Sequence, residues 1–180
     1  MRIETPRLIL RDWREDDVEP FVALSSDPVV MRYYSAILSR ESNVEWIRAM
    51  SAKLAAGSLG LLAAELKENG RFVGFIGLNY PIFDHPIARI PEIGWRIVPD
   101  LWGRGLAPEG AKACLDYGFE TLNLPEVVAY TSAANAPSQR VMEKIGMTRD
   151  PARDYDHPNV LEGPFQRHLV WAINQSMRKA

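Results

Sequence analysis

The sequence lacks the features that mark disulfide-rich, zinc-binding and membrane-spanning proteins. Cys114 is its only cysteine, which excludes an internal disulfide framework and leaves too few thiols for a Cys-built zinc site. His85, His157 and His168 show no ligand spacing such as His-x3-His, so they are expected to be loop or surface residues and no metal is expected. No apolar run approaches the roughly 20 residues of a membrane span, and the N-terminus lacks the apolar core of a signal peptide. A reducing cytoplasm is therefore the expected location.

The sequence also lacks an excess of either charge. Its 21 basic and 23 acidic residues give a net charge of -2, so no broad attraction to nucleic acid or to an anionic membrane is expected. Hydrophobic residues at 47% and charged residues at 24% match the average of globular proteins. With neither a repeat nor a linker, the 180 residues are expected to form one domain over positions 1–180.

The order of predicted elements indicates an α/β (α+β) fold, with a mixed, mostly antiparallel central sheet flanked by helices. Strands are predicted over residues 7–13, 59–66, 71–82, 90–98, 127–131 and 169–173. Four helices are predicted. The first begins at Asp16 and Asp17 and runs through Leu24, the second covers residues 41–56, and the last covers residues 136–145. The third carries the apolar stripe Ala111, Leu115, Phe119 and Leu122. The Asn-Gly pair in residues 67–70 predicts a hairpin between its two flanking strands.

The segment most informative about function is residues 97–110, IVPDLWGRGLAPEG, which combines a strand end, a glycine-rich turn and a helix start. Gly103 and Gly105 let the backbone approach a ligand closely, and Pro108 suits a first helical turn, where its missing N–H costs nothing. The unpaired N–H groups of such a turn and the helix dipole favour a negative charge beside them. Arg104 can add a guanidinium to the same diphosphate. The segment therefore predicts an anion site.

Other phosphate motifs fit this segment poorly. A Walker loop needs Gly-x4-Gly-Lys-Ser/Thr, but Gly110 is followed by Ala111 and then Lys112, and the hydroxyl is missing. A dinucleotide fingerprint needs a glycine where Pro108 stands, and the preceding strands are predicted to be antiparallel. A plain connection between a strand and a helix stays open for this segment taken alone.

A second segment, residues 131–147, TSAANAPSQRVMEKIGM, makes the pattern specific. Together the two segments resemble the GNAT acetyltransferases, particularly the RimJ/RimL-like subfamily that acetylates ribosomal-protein N-termini. The resemblance begins at residues 4–11, ETPRLILR, and extends over nearly the whole chain. It implies the GNAT fold, acetyl-CoA as cosubstrate, and transfer of the acetyl group to a protein N-terminus or a small amine. A homodimer is an expectation by the same analogy.

The resemblance also implies which residues bind acetyl-CoA. The family's pyrophosphate loop, Gln/Arg-x-x-Gly-x-Gly/Ala, falls on residues 102–107, where Trp102 departs from the first position and leaves the backbone role intact. The preceding strand end would bind the amides of the pantetheine arm as an added strand would. Asn135 and Ser138 match the residues that contact the arm near its sulfur. The expected cofactor-binding residues are Trp95, Arg96, Ile97, Gly103, Arg104, Gly105, Leu106, Ala107, Pro108, Asn135 and Ser138.

Two catalytic candidates follow from the chemistry of acetyl transfer. Glu92 stands where the subfamily often has an acidic residue facing the acceptor, so it is the candidate base, acting through water; a solvated strand carboxylate is the alternative. Many relatives use a tyrosine to protonate the departing thiolate, but Met142 occupies that position here. Ser138 is the candidate substitute donor, and a helix first-turn serine is the alternative. A backbone N–H near the end of the strand would stabilise the oxyanion.

Several residues receive weaker functional expectations. Tyr33 and Tyr34 could line the acceptor pocket or belong to the core. Residues 156–168 resemble the subfamily's C-terminal loop, which often borders the acceptor. Cys114 is expected to be a small buried filler on its helix. A non-catalytic CoA-binding module stays open as the alternative function, because the usual tyrosine is replaced by Met142.

Overall fold

The centre of the protein is a mixed β-sheet. A computed structural model describes residues 1–34, 36–81, 87–160 and 162–176. The strands are β1 (Arg2–Glu4), β2 (Leu8–Arg11), β3 (Leu61–Leu66), β4 (Phe72–Asn79), β5 (Glu92–Ile97), β6 (Glu126–Ser132), β7 (Thr148–Arg149), β8 (Tyr155–Asp156) and β9 (Arg167–Asn174). In the described residues the sheet order is β1-β2-β3-β4-β5-β6-β9-β7, with β8 also paired to β9. Neighbours are antiparallel except for β5 and β6, which are parallel. The predicted fold class is confirmed.

Helices cover both faces of the sheet. They are α1 (Val18–Ser26), α2 (Pro28–Met31), α3 (Arg40–Ala55), α4 (Leu106–Glu120) and α5 (Ala136–Lys144). On one face, the rings of Phe21 in α1 and Phe75 in β4 lie 4.9 and 5.2 Å from the ring of Trp46 in α3. On the other face α4 packs so closely that a Cβ added at Gly110 would lie 2.4 Å from Ile76 Cδ1. Phe75 and Ile76 thus point to opposite faces, as consecutive strand residues do.

A buried ion network fixes the entry into α1. The predicted helix start at Asp16 and Asp17 is a 3-10 turn, Glu15–Asp17, and α1 itself begins at Val18. The Asp17 carboxylate accepts hydrogen bonds of 2.7 and 2.9 Å from the Arg11 guanidinium, whose Nε donates to Glu65 at 2.7 Å. The three side chains are nearly excluded from solvent. The network therefore joins β2, β3 and the start of α1.

Some sequence predictions were wrong in detail. The apolar stripe predicted for the helix after the glycine-rich turn includes one residue too many. α4 ends at Glu120, so Leu122 lies beyond the helix and is 36% exposed. β1 was not predicted, and it pairs with β2 although it has only three residues. β4 ends at Asn79, short of the predicted end at residue 82; residues 82–86, which include His85, lie outside the described residues. The hairpin between β3 and β4 is confirmed, with Gly70 at φ 73° in its turn.

No helix in the described part of the chain is long and apolar enough to cross a membrane.

Candidate active site

The site begins where β5 and β6 part. These parallel strands pair at Glu92 and Val128, and the Val128 N–H also bonds to the Pro91 carbonyl at 2.9 Å. No further register pair joins them within the described residues, although β5 continues to Ile97. The edge of β5 beyond Glu92 is thus open to an added extended chain, which could bond to its backbone as a strand would.

Two cavities of about 450 Å³ each lie at this opening. The first cavity lies along the glycine-rich turn and the start of α5, and the second lies along β5, β6 and the late segment. Residues shared by both walls are Tyr33, Tyr34, Trp95, Arg96, Asn135 and Ser138. Ile97, Gly103, Gly105, Leu106, Ala107 and Pro108 line the first cavity alone. Of the predicted cofactor-binding residues, ten therefore meet at one cavity and only Arg104 is missing from its wall.

The glycine-rich turn has the backbone that its two glycines allow. Gly103 and Gly105 have φ of 76° and 78°, in the left-handed region that residues with a Cβ rarely adopt. Gly105 caps α4, and the first hydrogen bond of the helix runs from the Glu109 N–H to the Gly105 carbonyl at 3.2 Å. The N–H groups of Leu106 and Ala107 precede that bond and lie at the cavity wall, where a helix start favours an anion.

Arg7 ties this turn to the beginning of the chain. Its Nη1 donates to the Arg104 carbonyl at 2.8 Å, and its Nε donates to the Glu109 carboxylate at 2.6 Å. Thr5 also donates to Glu109, at 2.6 Å. The Arg104 side chain is exposed. The basic side chains at the first cavity are instead Arg32, Arg96, Arg140 and Lys144. Arg96 was predicted, and sequence reasoning missed the other three because no motif marks them.

Trp102, whose side chain had no predicted role, anchors the turn to β5. Its indole Nε1 donates to the Ile97 carbonyl at 2.6 Å, and the Arg32 guanidinium lies 5.2 Å from the centre of its ring. Trp102 remains 41% exposed, so its ring forms part of the rim of the first cavity.

Asn135 caps α5 and orients Ser138. Asn135 Oδ1 accepts from the Ser138 N–H at 3.3 Å, and Nδ2 donates to Thr131 Oγ1 at 2.9 Å and to Ser138 Oγ at 3.1 Å. Because a hydroxyl has one proton, a Ser138 oxygen that accepts from Asn135 keeps that proton available for a ligand. Ser138 is thus both a first-turn residue of α5 and a donor at the meeting point of the two cavities.

Neither Met142 nor Cys114 supplies an acid or a base to the site, and Cys114 lines neither cavity. Met142 follows Ser138 by one helical turn, lines the second cavity and is 2% exposed. Cys114 is buried in the core, where burial raises the pKa of its thiol to about 12. At neutral pH this thiol stays protonated, as expected of a packing residue.

Glu92 lies at the wall of the second cavity within a chain of hydrogen bonds. Asn79 Nδ2 donates to Glu92 Oε1 at 3.2 Å, and Lys53 Nζ donates to Asn79 Oδ1 at 2.7 Å. The Tyr130 hydroxyl bonds to the same carboxyl group. The chain thus crosses from α3 through β4 and β5 to β6. Sequence reasoning missed three of its four members, because they are separated along the chain and share no motif.

Burial raises the pKa of Glu92, against the hydrogen bonds from Tyr130 and Asn79 and the charge of Lys53, which lower it. Burial and the neighbouring Glu92 also raise the pKa of Tyr130, which keeps the phenol protonated as a donor. A carboxylate with a raised pKa is a stronger proton acceptor than an exposed one. Glu92 is therefore more than a solvated strand carboxylate.

His157 lies in a loop after β8, as expected, whereas the expectation was wrong for His168, which lies in a strand. Both rings line the second cavity, with centroids 4.8 Å apart, and His168 belongs to β9. Burial lowers the pKa of His168, so its ring is neutral at neutral pH. Across the described ranges, no group of three or more His, Cys, Asp or Glu side chains is arranged to hold a metal ion.

Comparisons with known proteins agree with this geometry. The family model "Acetyltransferase (GNAT) domain" matches residues 7–148. The uncharacterized protein YkkB of Bacillus subtilis (strain 168) is 34% identical over 147 residues, which are 81% of this chain and 84% of that protein. A GNAT-family acetyltransferase from Bacillus anthracis superposes at TM-score 0.80 with 27% identity, covering 98% of this chain and 99% of that one. RimL, a ribosomal L7/L12 alpha-N-protein acetyltransferase solved with coenzyme A, shares the fold at TM-score 0.77 with 16% identity, over 97% of this chain and 98% of its own. The chain belongs to the GNAT acetyltransferase family.

Proposed function

We propose that this chain is an acetyl-CoA-dependent N-acetyltransferase, acting as one domain over residues 1–180, that transfers the acetyl group to a primary amine in a ternary complex. The observation that carries the proposal is the parting of β5 from β6, with two cavities at the opening and Ser138 on the walls of both. A long thioester in the first cavity and an amine in the second would meet at this shared wall. Direct attack needs no covalent enzyme intermediate, in keeping with the inert Cys114.

The first cavity supplies the groups that acetyl-CoA requires. The N–H groups of Leu106 and Ala107, beside the left-handed Gly103 and Gly105, would hold the diphosphate, and the backbone of Trp95, Arg96 and Ile97 would hold the pantetheine amides. The exposed Arg104 is proposed to reach the same phosphates from solvent. These donors fit the group because they offer backbone hydrogen bonds and positive charge along one continuous wall.

The second cavity supplies the base. Glu92 would accept the amine proton through a water molecule, and its raised pKa suits that role. Acetyl-CoA supplies the thioester carbonyl and the thiolate leaving group. The new bond joins the amine nitrogen to the acetyl carbon, the carbon–sulfur bond breaks, and the amine proton passes to Glu92.

Ser138 is the proposed donor to the departing sulfur. Its proton is available because Asn135 Nδ2 donates to its oxygen at 3.1 Å, and Met142 at the next turn has no proton to give. A backbone N–H near the end of β5 would stabilise the charge that develops on the carbonyl oxygen.

The acceptor and the assembly are proposed from likeness alone. Fold similarity to RimL and the match at residues 4–11 and 131–147 support a RimJ/RimL-like enzyme in the cytoplasm that acts on a protein N-terminus or a small amine. The same likeness supports a homodimer, which light scattering of the purified protein tests.

Thiol release from acetyl-CoA, measured with a panel of amines, amino acids and peptides, tests the proposal. We expect saturable release with at least one acceptor, strongly reduced in Glu92→Gln and Ser138→Ala. Calorimetric binding of CoA without turnover of any amine would instead support a non-catalytic CoA-binding module. Failure to bind CoA would contradict both functions.

A further inference from the structure

The second cavity has an unusual balance of charge for an amine site. Among the described residues of its wall, Glu92 is the carboxylate and Arg96 is the guanidinium. His168 adds no charge at neutral pH, because burial lowers its pKa. Much of the remaining wall is aromatic, with Phe21, Tyr33, Tyr34, Trp46, Phe75, Trp95 and Tyr130. The acceptor would thus contact one carboxylate, Glu92, one guanidinium, Arg96, and several aromatic rings.

The Arg96 guanidinium has few partners inside the protein. Its Nη1 donates to Ser25 Oγ at 2.9 Å, and its central carbon lies 4.7 Å from the ring centre of Tyr34 and 5.3 Å from that of Phe75. Its Nε is buried without an acceptor, and no carboxylate of the described residues forms an ion pair with it. Of the five N–H donors of an arginine, one is committed within the described part of the chain, to a neutral hydroxyl.

Arg11 provides the comparison within the same molecule. Its guanidinium is nearly excluded from solvent and meets two carboxylates, Asp17 and Glu65, whereas Arg96 is only partly buried. A guanidinium shielded from water is costly unless an anion and further acceptors satisfy it. Arg11 obtains these groups from the protein, whereas Arg96 stands at the wall of two cavities with its charge unmatched. The Arg96 guanidinium is therefore placed to accept an anionic group from a ligand in either cavity.

We propose that Arg96 binds a carboxylate of the acceptor, so that the acceptor is an amino acid with an apolar or aromatic side chain. This inference rests on the proposed N-acetyltransferase function. The rings of Tyr34 and Phe75 flank the guanidinium, and the other aromatic residues of the wall would contact the side chain.

The spacing along β5 agrees with this class of acceptor. Glu92 and Arg96 are four residues apart and therefore lie on one face of the strand, with Cα atoms about 13 Å apart. They form no ion pair with each other among the described contacts, so a molecule can lie between them. An α-amino acid spans only part of this distance, so its amine would reach Glu92 through the proposed water molecule while its carboxylate meets Arg96. A polyamine would meet a repelling cation and a single carboxylate.

Matched acceptors and Arg96 variants test this assignment. The full chain is assayed by thiol release with leucine, leucinamide and isoamylamine, with phenylalanine, phenylalaninamide and phenethylamine, and with spermidine and free peptides. The variants are Arg96→Met, Arg96→Lys, which keeps the charge, and Arg2→Met, a surface control on β1. Calorimetry with CoA and thermal unfolding are measured for every variant.

The expected result is that the wild type prefers each amino acid over its amide by about tenfold or more in kcat/KM. Arg96→Met should lower kcat/KM for the amino acids by about tenfold to a hundredfold and remove the preference. Arg96→Lys should keep part of it, since the ammonium lacks only the planar fork. The Kd for CoA and the thermal midpoint should stay near the wild-type values, and Arg2→Met should match the wild type throughout.

If the amides are acetylated with the same kcat/KM as the amino acids, or if spermidine is the best acceptor, the inference is wrong while the N-acetyltransferase function is retained. A loss of CoA affinity in both Arg96 variants would also overturn the inference and assign the guanidinium to the pantetheine arm. A protein that binds no CoA, or acetylates none of these amines, fails the proposed function itself.

Discussion

Asn79 and Glu92 face each other as register partners across β4 and β5, and the Asn79 amide donates to Glu92 Oε1 at 3.2 Å. Behind Asn79, Lys53 donates to its carbonyl oxygen, which fixes the amide with its N–H toward the carboxylate. Glu92, the candidate base, is therefore held by the uncharged amide of Asn79, and that amide is held by the Lys53 ammonium. Burial raises the pKa of this carboxylate, while the arrangement around Asn79 lowers it and fixes the direction of the group.

Asn79→Ala should shift the acidic limb of kcat/KM to higher pH. The hydrogen bond from Asn79 lowers the pKa of Glu92, so its removal raises that pKa further, and the active carboxylate is lost earlier as pH falls. The pH profile for one acceptor, compared between wild type and variant, measures the shift. In Glu92→Gln this limb should vanish; a limb that persists there belongs to the acceptor amine, and the assignment of the base is then wrong.

Ser138→Ala should lower kcat by about tenfold to a hundredfold with little change in the Kd for CoA, because its hydroxyl acts on the sulfur as the bond breaks. Steady-state kinetics and calorimetry separate the two quantities. Ser176→Ala, at an exposed hydroxyl that bonds to Asn174, is the matched control. If Ser138→Ala weakens CoA binding and leaves kcat unchanged, Ser138 has only a structural or binding role.

Arg7→Met should raise the Kd for CoA by about threefold to tenfold, because it removes the side-chain bonds that fix the Arg104 carbonyl and Glu109 beside the glycine-rich turn. The effect is modest because Arg7 is half exposed. Calorimetric titration with CoA measures it, and Arg2→Met serves as the control. An unchanged Kd would mean that the turn keeps its shape without the tie.

Arg11→Met should lower the free energy of unfolding by about 3–5 kcal/mol, because it leaves the buried carboxylate of Asp17 without its cation and Glu65 with only Arg14, at 3.2 Å. Urea unfolding compared with Arg2→Met, which breaks an exposed pair with Glu4, gives the difference. A loss below about 1 kcal/mol would match an exposed pair and contradict the role given to this network.

The sequence predicted those parts of the site that lie in continuous segments. Gly103, Gly105 and the helix start beside them lie in one short segment, so local backbone rules were sufficient to find them. Asn135 and Ser138 lie three residues apart in a second segment and were found through the resemblance to the GNAT acetyltransferases. The hairpin between β3 and β4 was found by local rules, from its Asn-Gly turn.

Contacts between distant segments could not be predicted from the sequence. The hydrogen-bond chain at Glu92 joins Lys53, Asn79 and Tyr130 only because the sheet order places their elements together. Arg7 likewise reaches the glycine-rich turn from a distant part of the chain. Leu122 was assigned to the buried stripe because periodicity continues past Glu120, where the helix ends. Periodicity identifies a face of a helix but does not locate its last turn.

Mass spectrometry of amines incubated with the protein and isotopically labelled acetyl-CoA tests the central claim most directly. We predict enzyme-dependent labelled acetyl on the amine nitrogen of at least one acceptor, with much less product in Glu92→Gln. CoA that raises the thermal midpoint of the protein while no amine acquires the label would contradict the claim and indicate a CoA-binding protein without transfer activity.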